Sequence, residues 1–389
     1  MCDLHPAGSS CDETGQDKAG ARRKLSRRNV LATAGVSAAV TAVGLIGTRD
    51  AQAAQTPQPA PGSSGLSVTL LGTAGGPQAV PNRFGISSAL TINGKIYVID
   101  CGLGSVSQYV RAGLSIPSLD GIFLTHLHSD HTVDYLSYPI IALYSGGPTG
   151  PVSKPVSVYG PGPAGEQSLV ATAPGPIPGT AAMSTLGSKT FAASTTFFLA
   201  EHLQVDPATL IDVHDVNPPP VAGASLANPA PDTMAPFTVL ETTDLKVTAI
   251  CVPHGAVYPA YAYRFDTDHG SIVFSGDTTV TPNIPRLARH ADLLLHEAVD
   301  LAAIESLGGT PAGITHMRDT HTDVSLLGQI AAESDVPALV VTHLGPASSA
   351  LVSDASWRRQ LRDSARQAGY RGKMTLGMDL MHIPVGASS

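Results

Sequence analysis

The sequence predicts a layered α/β domain with helices packed outside sheets, and three observations carry that prediction. Short apolar runs of four to eight residues recur along the chain and each ends in a polar or charged residue, the pattern of strands that are largely buried. Helical patterns lie between these runs, so that strands precede helices in two successive halves. The 43% apolar content of a 389-residue chain supplies a sizeable core, and 39 glycines and 31 prolines without a period add turns rather than a fibrous repeat.

Residues 1–53 read as an address. Arg22, Arg23, Lys24, Arg27 and Arg28 precede a weakly apolar run from Val30 to Gly47, and Ala51-Gln52-Ala53 follows as a cleavage site. The Arg27-Arg28 pair resembles a cleavable twin-arginine signal, although Val30 stands where that pattern usually has Phe. It implies the twin-arginine translocase as partner and a periplasmic or extracellular destination. An uncleaved anchor is the alternative, but the Ala/Gly-rich run is only marginally long enough to span a bilayer. Removing the segment leaves 16 basic against 26 acidic residues, a formal charge of −10, which should repel a polyanion and so disfavours nucleic acid as a partner. Cys2 and Cys11 leave with it. Cys101 and Cys251 read as small buried residues, although an oxidising destination permits a disulfide.

A Pro/Gly/Ser-rich linker, residues 54–65, leads into one domain at 66–389. There SVTLLG, SALTI, KIYVID, GIFLTH, PVSVYG, LKVTAICVPH, GSIVFSGD, ADLLLHE, PALVVTH and KMTLGMDLMHIPV read as strands. SVSQYVRAG, NIPRLARHA, DVSLLGQIAAES and SDASWRRQLRDSARQAG read as helices, the third capped by Thr322 or Asp323. Residues 161–244 break the pattern: a Pro/Gly/Ala/Thr-rich insertion with a helical pattern at TTFFLAEHL and a further pattern at DPATLIDVH, expected to be a lid or an exosite arm.

Five apolar runs deliver a metal-capable side chain at the same end: His126, His254, Asp277, His296-Glu297 and His343. Ligands gather outside the carboxyl ends of strands in α/β sheets, so this recurrence predicts one site assembled from distant segments. The stretch LTHLHSDH adds His128, Asp130 and His131 in one turn. Imidazole and carboxylate without thiolate suit Zn²⁺, with Mn²⁺ or Fe as other occupants. His126 and His128 can face one ion while Asp130 and His131 face another, with His254, His343 and a two-oxygen Asp277 completing the set.

These motifs, in the order LLGTAGGPQAVPNRFGISSAL, VIDCG, THLHSDH, SVYGPG, Pro253-His254, SGDT, HEAV, THTD and VTHLG, resemble the metallo-β-lactamase-fold hydrolases, in particular the branch of tRNase Z and the dizinc arylsulfatases. The resemblance covers nearly all of the mature chain. It implies an αββα sandwich with a loop-rich insertion and two Zn²⁺ at its edge, one held by His126, His128 and His254, the other by Asp130, His131 and His343, with Asp277 bridging. Such ions would activate a water for attack, with Asp130 orienting it. By the same resemblance His321, 22 residues before His343, assists the leaving oxygen, and Glu297 holds its tautomer. His296 reads as an outer hydrogen-bond donor and Asp100 as a brace for the motif loop; His202, His214 and His316 read as surface or lid residues. The branch also allows a homodimer.

The chain departs from the tRNase Z pattern near its first strand, where Pro81-Asn82-Arg83-Phe84 keeps an arginine but lacks the lysine of the Pro-x-Lys-x-Arg-Asn loop. Together with the acidic body and the export signal, this favours a small anionic ester, an aryl sulfate or phosphodiester, with Arg83 contacting the anion. The alternatives are tRNase Z-like endonuclease activity, lactonase or β-lactamase chemistry, and, from another class, a binding protein on a decayed scaffold.

Overall fold

The computed structural model describes residues 65–143, 152, 154–165, 177–201 and 205–386, so the expected signal and nearly all of the linker lie outside the described residues. One sheet comprises β1 (Leu66–Gly72), β2 (Ser87–Ile92), β3 (Lys95–Ile99), β4 (Leu119–Phe123), β5 (Val156–Pro161), β6 (Ile211–Val216) and the returning β14 (His382–Val385). Its order is β14-β1-β2-β3-β4-β5-β6. The second comprises β7 (Phe237–Glu241), β8 (Lys246–Cys251), β9 (Tyr261–Thr267), β10 (Gly270–Phe274), β11 (Leu293–Val299), β12 (Ala338–Gly345) and β13 (Lys373–Leu376), ordered β13-β12-β11-β10-β9-β8-β7.

Side-chain alternation places the core. In β3, Tyr97 and Ile99 join Phe123, Tyr263 and Phe265 between the sheets, while Ile96 and Val98 join Tyr109 and Tyr138 on the opposite face. That is the period of two of a strand covered on both sides. Ile284, Leu287, Ile330, Trp357 and Leu361, from helices Asn283–Ala288, Leu327–Ser334 and Asp354–Gln367, cover the second sheet. The result is the expected αββα layering. Among the described residues no helix is long and apolar enough to cross a membrane.

Three elements differ from the sequence reading. KMTLGMDLMHIPV is two strands, β13 and β14, which pair in different sheets. YAYRFDT is a strand, β9, disguised by Arg264 and Asp266, which pair with each other at 2.8 Å. The insertion is less loop-like than its composition suggests: it carries helices Thr180–Thr190 and Ala192–Glu201, and DPATLIDVH becomes a 3-10 turn followed by β6. Strands β6 and β7 extend the two sheets by pairing with β5 and β8, so much of the segment is scaffold.

Candidate metal centre

The ligand candidates sit where strands give way to loops. β4 ends at Phe123, shortly before His126, and one helical turn, Ser129–Thr132, carries Asp130 and His131. His254 and Asp277 each follow the last residue of a strand, β8 and β10, by three positions, and His343 lies within β12.

Asp277 is the hub. Its Oδ2 lies 3.1 Å from His343 Nε2, 3.3 Å from His131 Nε2, 3.8 Å from His254 Nε2 and 3.9 Å from His126 Nε2. Around it stand two groups, His126 with His128 and His254, and Asp130 with His131, Asp277 and His343, the ligand atoms of each lying within 4.8 Å of one another, and His321 reaches the same spacing with His254 and Asp277 and with Glu297 and His343. All seven residues named from the sequence are therefore brought together.

Outer hydrogen bonds fix the tautomers. His254 Nδ1 donates to the Thr320 carbonyl at 2.8 Å, and His131 Nδ1 donates to Asp100 Oδ2 at 2.9 Å, so each leaves Nε2 for the centre. Asp100 also accepts from the Thr125 N–H and hydroxyl, which braces the loop as expected. Asp100 and His343 adopt φ of 59° and 45°, left-handed conformations uncommon for their residue types and typical of strain held at a functional site. Gly75 allows His343 its place, since a Cβ there would come within 2.7 Å of His343 Nδ1.

The donor set fits a pair of cations. His126 Nε2, His131 Nε2 and Asp277 Oδ1 are buried without a hydrogen-bond partner, a condition that costs about 1–3 kcal/mol per group. His254 Nε2 and His128 Nδ1 stand 3.2 Å apart, which suits two ligands of one tetrahedral ion with bonds of about 2.0–2.1 Å. Burial holds the imidazoles of His126 and His254 below the usual range and takes that of His128 down to about 4, favouring the neutral form a cation binds. Burial alone would raise Asp277 and Asp130. The neighbouring imidazoles instead hold Asp277 well below the carboxylate range and bring Asp130 down to about 2. His131 goes the other way: burial opposes its charge, but Asp277 and Asp100 hold its proton well above the usual range. A metal held here would take the place of that proton.

Beside the cluster, His321 Nδ1 donates to Glu297 Oε1 at 3.0 Å, and Glu297 also accepts from the Thr278 N–H at 2.8 Å. Burial would lower the His321 pKa, yet the Glu297 carboxylate carries it up to about 9. The His321 ring lies nearly parallel to that of His343, with centroids 5.7 Å apart. His296 is fully buried, donates to the Glu297 carbonyl and belongs to none of the ligand groups. His214 is a surface residue paired with Asp212, His316 lines the cavity over the centre, and His202 lies outside the described residues. Cys101 and Cys251 are buried and free.

Arg83 corrects an expectation. Its guanidinium pairs with Asp354 at 2.8 Å and donates to the Thr73 hydroxyl and the Gly377 carbonyl, with only 3% of the side chain exposed. A cation so committed braces the loop after β1 and is not offered to a substrate anion. Arg83→Ala is therefore expected to lower stability by about 2–3 kcal/mol, read as a fall in the urea midpoint, while KM for an anionic ester stays within about twofold.

The centre opens into a cavity of about 680 Å³. Its walls come from Ala256 and Val257, from the stretch between Val299 and His321, and from the loop ending at Leu351. None of the described residues of the 161–244 insertion, expected as a lid or an exosite arm, lines it; helices Leu301–Ser306 and Pro311–Thr320 supply that wall. Gly308, Gly309 and Pro311 interrupt the pattern there and hid those helices from the sequence reading. Thr320, whose carbonyl orients His254, was missed for a simpler reason: a backbone acceptor has no residue signature.

Comparison with known proteins gives four likenesses. Residues 82–134 match the model of the Metallo-beta-lactamase superfamily. Ribonuclease Z of Mycobacterium marinum is 26% identical over 322 residues, covering 83% of this chain and 99% of that one. Among solved structures, the metallo-beta-lactamase fold protein YhfI of Bacillus subtilis superposes with a TM-score of 0.53 at 17% identity, over 82% of this chain and 99% of the other. The short form of human tRNase Z gives the same TM-score at 20% identity, over 82% and 98%. At those identities the structural likenesses speak for fold.

Proposed function

We propose, starting from a chain that is a metallo-β-lactamase-fold hydrolase, that it is a dizinc phosphodiesterase with ribonuclease Z-like chemistry. The observation that carries this reading is the Glu297–His321 pair set beside the Asp277 cluster. An alkoxide leaving a phosphodiester needs a proton, and an imidazolium with a pKa of about 9 is charged and able to give one at neutral pH. An aryl sulfate, whose phenolate leaves readily, needs that donor far less. The ribonuclease Z relative at 26% identity over nearly its whole length adds weight on the same side.

In this reading His126, His128 and His254 would hold one zinc and Asp130, His131, Asp277 and His343 the other. Bound zinc supplies Lewis acidity toward the ester and lowers the pKa of water. The chain's own groups do the rest. Asp130 orients the attacking water, His321 protonates the departing oxygen, and Glu297 keeps Nδ1 of His321 as the held donor so that Nε2 carries the mobile proton. Asp100 and Thr320 keep His131 and His254 aimed at the centre.

A second reading, cleavage of RNA itself, is favoured by one further feature: Arg358, Arg359, Arg362 and Arg366 are exposed along helix Asp354–Gln367, which follows the cavity residue Leu351 in sequence. The zinc-loaded mature protein should hydrolyse bis-p-nitrophenyl phosphate faster than p-nitrophenyl sulfate, and should also cleave a dinucleotide, whose alkoxide leaving group needs the His321 proton. Turnover of the sulfate alone would overturn the phosphodiesterase reading, and a preference for a 3′-extended tRNA transcript would favour the second. We also propose export through the Arg27-Arg28 signal, which unprocessed chain confined to the cytoplasmic fraction would contradict.

A further inference from the structure

The cavity over the metal centre is lined in a way that a polyanion site is not. Ile304, Leu307, Met317, Leu351, Val257 and Pro346 line it together with the imidazoles and carboxylates of the centre, and among the described residues no lysine or arginine does. Leu307 and Leu351 are 51% and 52% exposed. Single exposed leucines are ordinary, but apolar side chains that converge on a concavity beside reactive groups mark a binding surface. The nearby Arg83 is committed to Asp354 and so adds no positive charge to the wall.

The wall is also fixed in place. Asp300 caps helix Leu301–Ser306 by accepting from the Ala303 N–H at 2.9 Å, and its other oxygen accepts from Gln360 Nε2 at 2.6 Å, tying that helix to Asp354–Gln367. Thr310 caps the following helix, Pro311–Thr320, in the same manner. A preformed apolar wall binds without the cost of ordering itself.

We propose that the organic group flanking the scissile phosphorus is uncharged and apolar, of aryl or short alkyl size, and packs on Ile304, Leu307, Met317 and Leu351. This rests on the phosphodiesterase reading for the reacting centre, but the wall selects the substituent whatever ester is cut. The charged phosphoryl end faces the His/Asp cluster and the substituent faces the leucines, so the site reads a substrate with one anionic and one greasy end.

The test is calorimetric titration of n-alkyl phosphonates, methyl to pentyl, into the zinc-loaded mature protein. Kd should fall about fourfold per added methylene until the wall is filled, the factor expected for burying one CH₂ group, with an increasingly negative heat-capacity change. The double variant Leu307→Ser with Leu351→Ser should flatten that series. A flat series in the unaltered protein overturns the proposal, as does tighter binding of a nucleotide ester than of the pentyl compound. So does a flat series in a dimer that Leu307→Ser dissociates, which would assign the leucines to a second copy. Turnover of alkyl p-nitrophenyl phosphates reports separately on the reaction. Graded binding without such turnover, or with turnover of acyl lactones instead, overturns the phosphodiesterase reading and sustains the apolar subsite; turnover with a flat binding series does the reverse.

Discussion

Asp277→Ala is expected to abolish hydrolysis of bis-p-nitrophenyl phosphate and to take zinc content from two ions per chain to one or fewer. The reason is its position: one oxygen lies within 4.0 Å of imidazole nitrogens from His126, His131, His254, His321 and His343. Removing the carboxylate leaves those imidazoles facing one another and strips negative charge from both ion sites. Loss of an outer partner such as Asp100 typically costs 10–100-fold in metal affinity or activity, so loss of the central carboxylate should exceed about 10³-fold. Asp277→Asn keeps the volume without the charge, and it should fail nearly as badly. Circular dichroism should stay native-like, because the hydrophobic core between the sheets does not include this residue.

His321→Ala should lower kcat for a phosphodiester with an alkoxide leaving group, such as a dinucleotide, by about 10² to 10⁴, the range of a positioned general acid, and far less for bis-p-nitrophenyl phosphate, whose phenolate leaves readily, while zinc content is unchanged. The pH profile separates this role from mere packing. The His321 pKa is raised to about 9 by Glu297, so the proton needed at the leaving oxygen is present below that value. Activity should fall as pH rises through about 9. Glu297→Gln removes the carboxylate, and the alkaline limb should move down toward the ordinary histidine range. The same shift acts on stability: because the folded pKa lies above the unfolded one, the pair's contribution is complete below about 6.5 and is lost as pH rises through about 9. An alkaline limb unmoved by Glu297→Gln would remove His321 as the acid.

The site was more legible than its surroundings. Ligand side chains advertise themselves, since a histidine or aspartate at the end of an apolar run is conspicuous, and five such ends recur. Strands buried on both faces were equally plain, as in β1, where all seven residues are buried. What stayed hidden depends on partners distant in sequence. Arg83 looked available because nothing near it in the chain forecasts Asp354, which lies 271 residues away. The insertion read as loop-rich, a lid or an exosite arm, because Pro and Gly dominate it, yet β6 and β7 gain their structure from pairing with β5 and β8 rather than from their own propensity. The true cavity wall was overlooked because its two short helices are broken by Gly308 and Gly309, and its apolar residues converge only once the chain has folded.

The most direct measurement is an anomalous-scattering map at the zinc edge from crystals of the mature protein. The predicted result is two peaks, one bounded by His126, His128 and His254 and the other by Asp130, His131 and His343, with Asp277 between them. No peak, or only one, would contradict a two-metal centre.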